Sequence, residues 1–75
     1  MLNKRQTKLL AENALKNIGE HQLSLKPDNY RLWFEYGTGV IEGLNTEIDE
    51  LITQQVAINE AICSKLYQKY LITGD

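Results

Sequence analysis

The stretch from Pro27 to Gly39 constrains this chain more than any other. Tyr30, Trp33, Phe34 and Tyr36 fall close together there, with Leu32 among them. Proline suits the first turn of a helix, since its φ is already fixed and its missing N–H would go unused. Asp28 is expected to serve as the N-cap. Gly37 and Gly39 are expected to stop the helix, because glycine accepts the left-handed geometry of helix ends. Successive helical residues turn by about 100°, so one short helix cannot hide four rings on one side. The rings must wedge several elements together or stay partly open for a partner. Trp33 is expected as the core anchor, with Tyr30 and Phe34 beside it. Tyr36 lies on the side of Trp33, and Leu32 points elsewhere. Leu32 and Tyr36 are therefore candidates for contact with a partner, since aromatic residues are favoured at interface centres.

The elements on either side are helical too. Leu10, Ala14, Leu15 and Ile18 recur at helical spacing and predict a first helix over Asn3 to Gln22, with Leu2 and Leu9 extending the stripe. Gly19 weakens its last turn, so the helix should fray near His21. Leu23 to Lys26 form a connector, because Pro27 pushes Lys26 towards an extended backbone. A third helix fits Ile41 to Gln54, with Ile41, Leu44, Ile48, Leu51 and Ile52 as its apolar stripe. Gln54 to Ile58 is a second connector. Asn59 can then cap a fourth helix running towards Ile72, with Ile62, Cys63, Leu66, Tyr67, Tyr70 and Leu71 as a broad stripe. Thr73-Gly74-Asp75 reads as a stop or a cut. Ile48, Leu51 and Leu66 join the candidate core, and Tyr67 and Tyr70 join the candidate interface. No segment alternates as a strand would. The expected fold is all-α: one compact bundle of about four helices spanning residues 1–75.

Seventy-five residues bury only a modest core, and small helical modules often gain stability by packing on a copy of themselves. The net charge of −2 argues against a general nucleic-acid binder. Up to Lys26, five basic residues face two acidic ones, a balance of +3; from Pro27 onward, three face eight, a balance of −5. Opposite signs in the two halves could steer a head-to-tail or antiparallel contact. The plainer reading is two solvated faces of different sign. Cys63 is alone, which excludes an internal disulfide and suits a reducing compartment. No apolar run approaches a bilayer span, and the polar, basic start is no signal peptide. A cytoplasmic location without membrane insertion is expected.

Catalytic chemistry finds little to stand on. His21 reads as a surface histidine rather than a general base. Cys63 sits on an apolar stripe and reads as a small core residue. One histidine and one cysteine on different elements cannot make a zinc site unaided. Glu47, Asp49 and Glu50 lack calcium-loop spacing, and Gly37-Thr38-Gly39 is too short to cradle a phosphate. No catalytic, metal or cofactor residue is predicted.

The order of residues carries a further signal. Pro27-Asp28-Asn29-Tyr30-Arg31-Leu32-Trp33-Phe34-Glu35-Tyr36 is followed by Gly39, Leu44, Asn45, Ile48 and Asp49. Glu60, Cys63, Leu66-Tyr67 and Tyr70-Leu71 complete the set. This pattern resembles the N-terminal helical region of a group of bacterial GGDEF proteins, the diguanylate cyclases, and the likeness runs from about Lys8 to Leu71. The resemblance implies a non-catalytic input or dimerisation domain from a longer protein that makes cyclic di-GMP in signal transduction. Its implied partners are a second copy of itself (homodimer or larger) and a downstream GGDEF domain. The GGDEF signature, its metal-binding carboxylates and its inhibitory RxxD motif are absent from the chain, so no catalytic residue carries over. Two other readings remain at this point. One is a helical interaction adaptor, since Trp33 and Tyr36 on paired helices are also similar to tetratricopeptide repeats. The other is a small-ligand sensor whose pocket is lined by Trp33, Tyr30 and Tyr67.

Overall fold

In the computed structural model, which describes residues 3–72, the chain is an all-α bundle with no strand among the described residues. Helix α1 spans Lys4–Glu20, α2 Pro27–Thr38, α3 Glu42–Thr53 and α4 Glu60–Tyr67. Helix α4 runs on directly into a π-helical turn, Gln68–Ile72. The expected extension of the first stripe to Leu2 and the stop at Thr73-Gly74-Asp75 lie outside the described residues.

Local chemistry explains the boundaries. Asn3 and Gln6 form a capping box at the start of α1: Gln6 N–H donates to Asn3 Oδ1 at 2.8 Å, and Asn3 N–H donates to Gln6 Oε1 at 3.1 Å. The far end of α1 does not fray as the sequence suggested. Gln22 turns left-handed at φ +56°, the Leu23 N–H donates to Ile18 O at 2.9 Å, and the Gln22 N–H donates to Gly19 O at 3.1 Å. That is a Schellman closure, normally built on glycine. The end of α3 repeats it, with Gln55 at φ +60° and the Val56 N–H donating to Leu51 O at 2.9 Å. Two glutamines thus hold a conformation that costs an L-residue roughly 1–2 kcal/mol.

Helix α2 corrects two boundary expectations. Pro27 is itself the first helical residue, so the cap position falls on extended Lys26, and Asp28 lies in the first turn instead of capping it. The helix also passes through Gly37 and ends only at Gly39, which is left-handed at φ +72°. Gly37 serves packing: a Cβ there would lie 3.1 Å from Leu10 Cδ2. Asn59 caps α4 as expected from sequence, accepting from the Ile62 N–H at 2.9 Å.

Contacts along the helices fix their directions. Leu10 meets Gly37 while His21 meets Trp33, so α1 and α2 run antiparallel. Asn29 meets Glu60 where α2 and α4 begin, so these two start side by side. Helix α3 returns alongside them, with Asn45 and Asp49 against Tyr36 and with Gly43 and Glu47 against Tyr70. All four helices feed one core of Ala14, Ile18, Leu32, Trp33, Leu44, Ile48, Ile58, Cys63 and Leu66.

Four side chains depart from their predicted faces. Leu32, assigned to a partner interface, is fully buried. Helix α2 is packed on by both α1 and α4, so the covered arc is wide enough for the adjacent positions 32 and 33. Leu9, placed as an extension of the first stripe, is 54% exposed, and Leu15 and Ile52, also placed on apolar stripes, are each 46% exposed. Leu15 and Ile52 sit about 100° from Ala14 and 80° from Leu44, at the margin of a face that one neighbouring helix covers. Ile58, read as connector, is buried just before the Asn59 cap.

Candidate functional site

The aromatic centre is closed. Trp33 is 1% exposed. The His21 ring stacks on it at 5.2 Å and 12°, and the Tyr36 ring meets it edge-on at 5.4 Å and 78°. His21 is therefore half-buried and engaged, where the sequence suggested a free surface histidine. The indole N–H is buried without a hydrogen-bond partner. The Cys63 thiol, a weak acceptor, is buried in the same core. Burial pushes that thiol up, and the indole N–H offsets part of the rise. With Trp33 sealed in this way, a ligand pocket lined by it has no opening.

The structure divides the remaining sequence candidates. Ile48 and Leu66 are buried; Tyr30, Phe34 and Leu51 are half-buried and pack against the core from its edge. The Tyr30 and Phe34 rings lie 5.9 Å apart. Of the proposed interface residues, Tyr67 is half-buried, while Tyr36 and Tyr70 are engaged within the chain. Tyr36 Oη donates to Asp49 Oδ1 at 2.5 Å, and Asn45 Nδ2 donates to the Tyr36 carbonyl at 2.9 Å. The hydrogen bond to Asp49, burial and the Asp49 charge together push the Tyr36 phenol up to about 12. Tyr70 Oη donates to Glu47 Oε2, and Lys69 Nζ sits 3.1 Å from the same oxygen. The Tyr70 hydrogen bond, then Lys69, hold Glu47 below the usual carboxylate range. Gly43 makes the approach possible, since a Cβ there would lie 2.9 Å from Tyr70 Cε1.

Asn29 and Glu60, both in the sequence pattern but with no contact expected between them, form a polar latch with Ser24. Asn29 is 2% exposed, and its Nδ2 donates to Ser24 O at 2.8 Å and to Glu60 Oε1 at 2.9 Å. The Ser24 N–H donates to Glu60 Oε2 at 2.6 Å. One carboxylate thus joins the α1–α2 connector, the first turn of α2 and the first turn of α4. Asn29 above all, then Ser24, draw the Glu60 carboxyl down to about 2. The available signal was spacing: Asn29 precedes Trp33 by one helical turn and shares its buried face.

Several concave surfaces open to solvent, one of them between α3 and α4 beside Leu51, Ile62 and Leu66. Another is formed by Leu9, Leu10, Asn13, Gly37 and Thr38 between α1 and the end of α2. Two others follow the outer faces of α1 and α3. Among the described residues, no three His, Cys, Asp or Glu side chains are grouped to hold a metal ion. No helix among them is long and apolar enough to cross a membrane. Comparison with protein-family models, with curated proteins and with solved structures gives no match.

Proposed function

We propose that this chain is a non-catalytic regulatory and oligomerisation module of a bacterial diguanylate cyclase, working in the cytoplasm. It would pair with a second copy of itself and so position the GGDEF domains that follow. Cyclic di-GMP synthesis joins two GTP molecules held on two domains. Any element that pairs the domains raises their effective concentration and sets their geometry.

One observation carries this reading. Several residues of the diguanylate cyclase-like pattern tie the helices together here. Asn29 bonds Glu60, Tyr36 bonds Asp49, Asn45 bonds the Tyr36 carbonyl, and Trp33 and Cys63 share the core. Leu44, Ile48 and Leu66 complete the core between them. A pattern scattered over solvent-facing positions would be chance. A pattern whose members meet across helices specifies a particular bundle, and this supports a shared architecture.

Sedimentation equilibrium of the isolated chain tests the self-association. A concentration-dependent dimer or larger assembly is expected, and a monomer at high protein concentration would refute the reading.

A further inference from the structure

The outward arcs of α1 and α3 carry opposite net charge. At about 100° per residue, Arg5 and Lys16 point away from buried Ala14 and Ile18 and Lys8 lies to one side, with Glu12 among them and Leu9 and Leu15 flanking, and all six are exposed. Over the whole helix four basic residues outnumber two acidic ones. The same geometry puts exposed Glu42 and Glu50 on α3 opposite buried Leu44 and Ile48, with Asp49, which accepts from Tyr36, and Ile52 at the margins. Helix α3 contains no basic residue at all. The Lys69–Glu47 ion pair uses neither arc, because Glu47 leans towards the Tyr70 side of α3.

We infer that these arcs are the two complementary halves of a self-association surface, with α1 of one copy docking on α3 of a second. The inference rests on the self-association reading above and names the surface responsible. Neither arc is a site by itself. Pairing α1 with α1 or α3 with α3 would set like charges together, whereas α1 with α3 matches them. The charges give orientation and encounter rate, and Leu9, Leu15 and Ile52 give apolar area to bury at the margins. Charges separated by more than about 8 Å are screened at physiological ionic strength, so the attraction acts only in close contact and weakens with salt.

The test uses two charge-reversed chains, Arg5→Glu/Lys8→Glu on α1 and Glu42→Lys/Glu50→Lys on α3, with circular dichroism confirming that both fold. Sedimentation velocity should show wild-type association weakening about tenfold or more from low to high salt. Each variant alone should be monomeric. An equimolar mixture should associate again, because the mixed pair matches at both contacts. Variants that associate as the wild type does, a mixture that stays monomeric, or salt-insensitive wild-type association would overturn this surface while leaving self-association intact. A monomeric wild type would overturn both.

Discussion

Replacing Asn29 with alanine should cost far more than its polar character suggests. The side chain is almost wholly buried and donates to Ser24 O and to Glu60 Oε1 at 2.8 and 2.9 Å. Each intramolecular hydrogen bond is worth about 1 kcal/mol, and leaving a buried acceptor without a partner adds to that. Glu60 is half-buried and solvent partly compensates it, so the total should be about 2–3 kcal/mol. For a domain whose whole stability is of order 5 kcal/mol, that is a large fraction. The pH profile gives a second reading. Glu60 titrates at about 2 in the folded chain, below the ordinary 4.5. A depressed folded value means that its contribution is present above 4.5 and is lost as pH falls towards 2. Because Asn29 is the largest cause of that depression, Asn29→Ala should flatten this acid-side loss. Asn29→Asp should be worse than alanine at neutral pH, setting a carboxylate beside Glu60, and should approach it in acid. Urea unfolding of the three chains from pH 7 to pH 2.5 measures both effects. A cost for Asn29→Ala below about 0.5 kcal/mol, or an acid profile parallel to the wild type, would refute the latch.

Other perturbations separate core, cap and packing effects. Trp33→Ala should cost about 3–5 kcal/mol and leave the chain largely unfolded by circular dichroism. Gln22→Gly and Gln55→Gly should each raise stability by about 1 kcal/mol, since both positions are left-handed, and thermal melts would show it as higher midpoints. Gly43→Ala should lower stability in the wild type, where the new methyl meets the Tyr70 ring, but raise it in a Tyr70→Ala background, where helix propensity alone remains. A double-mutant cycle in urea measures that reversal of sign.

The helices were legible because their apolar residues repeat at 3–4 positions, and because Pro27, Gly39 and Asn59 mark boundaries by mechanisms local to the chain. What spacing could not show was how many neighbours a helix would have. Spacing points Leu32 outward if α2 has one buried side, whereas α1 and α4 cover two. The Schellman closures at Gln22 and Gln55 were hidden because the residue there is not glycine, so the strain shows only in the dihedrals. The Asn29–Glu60 latch and the Tyr36–Asp49 and Tyr70–Glu47 pairs join residues 31, 13 and 23 apart, a separation that no periodicity reports. The π turn at Gln68–Ile72 likewise escaped: it accompanies the seating of Tyr70 over Gly43, a contact between helices that are far apart in sequence.

Joining this chain to a GGDEF domain that is monomeric and inactive by itself tests the proposed role most directly, with cyclic di-GMP formed from GTP as the readout. The account predicts that the joined protein synthesises cyclic di-GMP while the same GGDEF domain mixed with the separate helical chain does not. Equal, negligible synthesis by the joined and mixed proteins would contradict it.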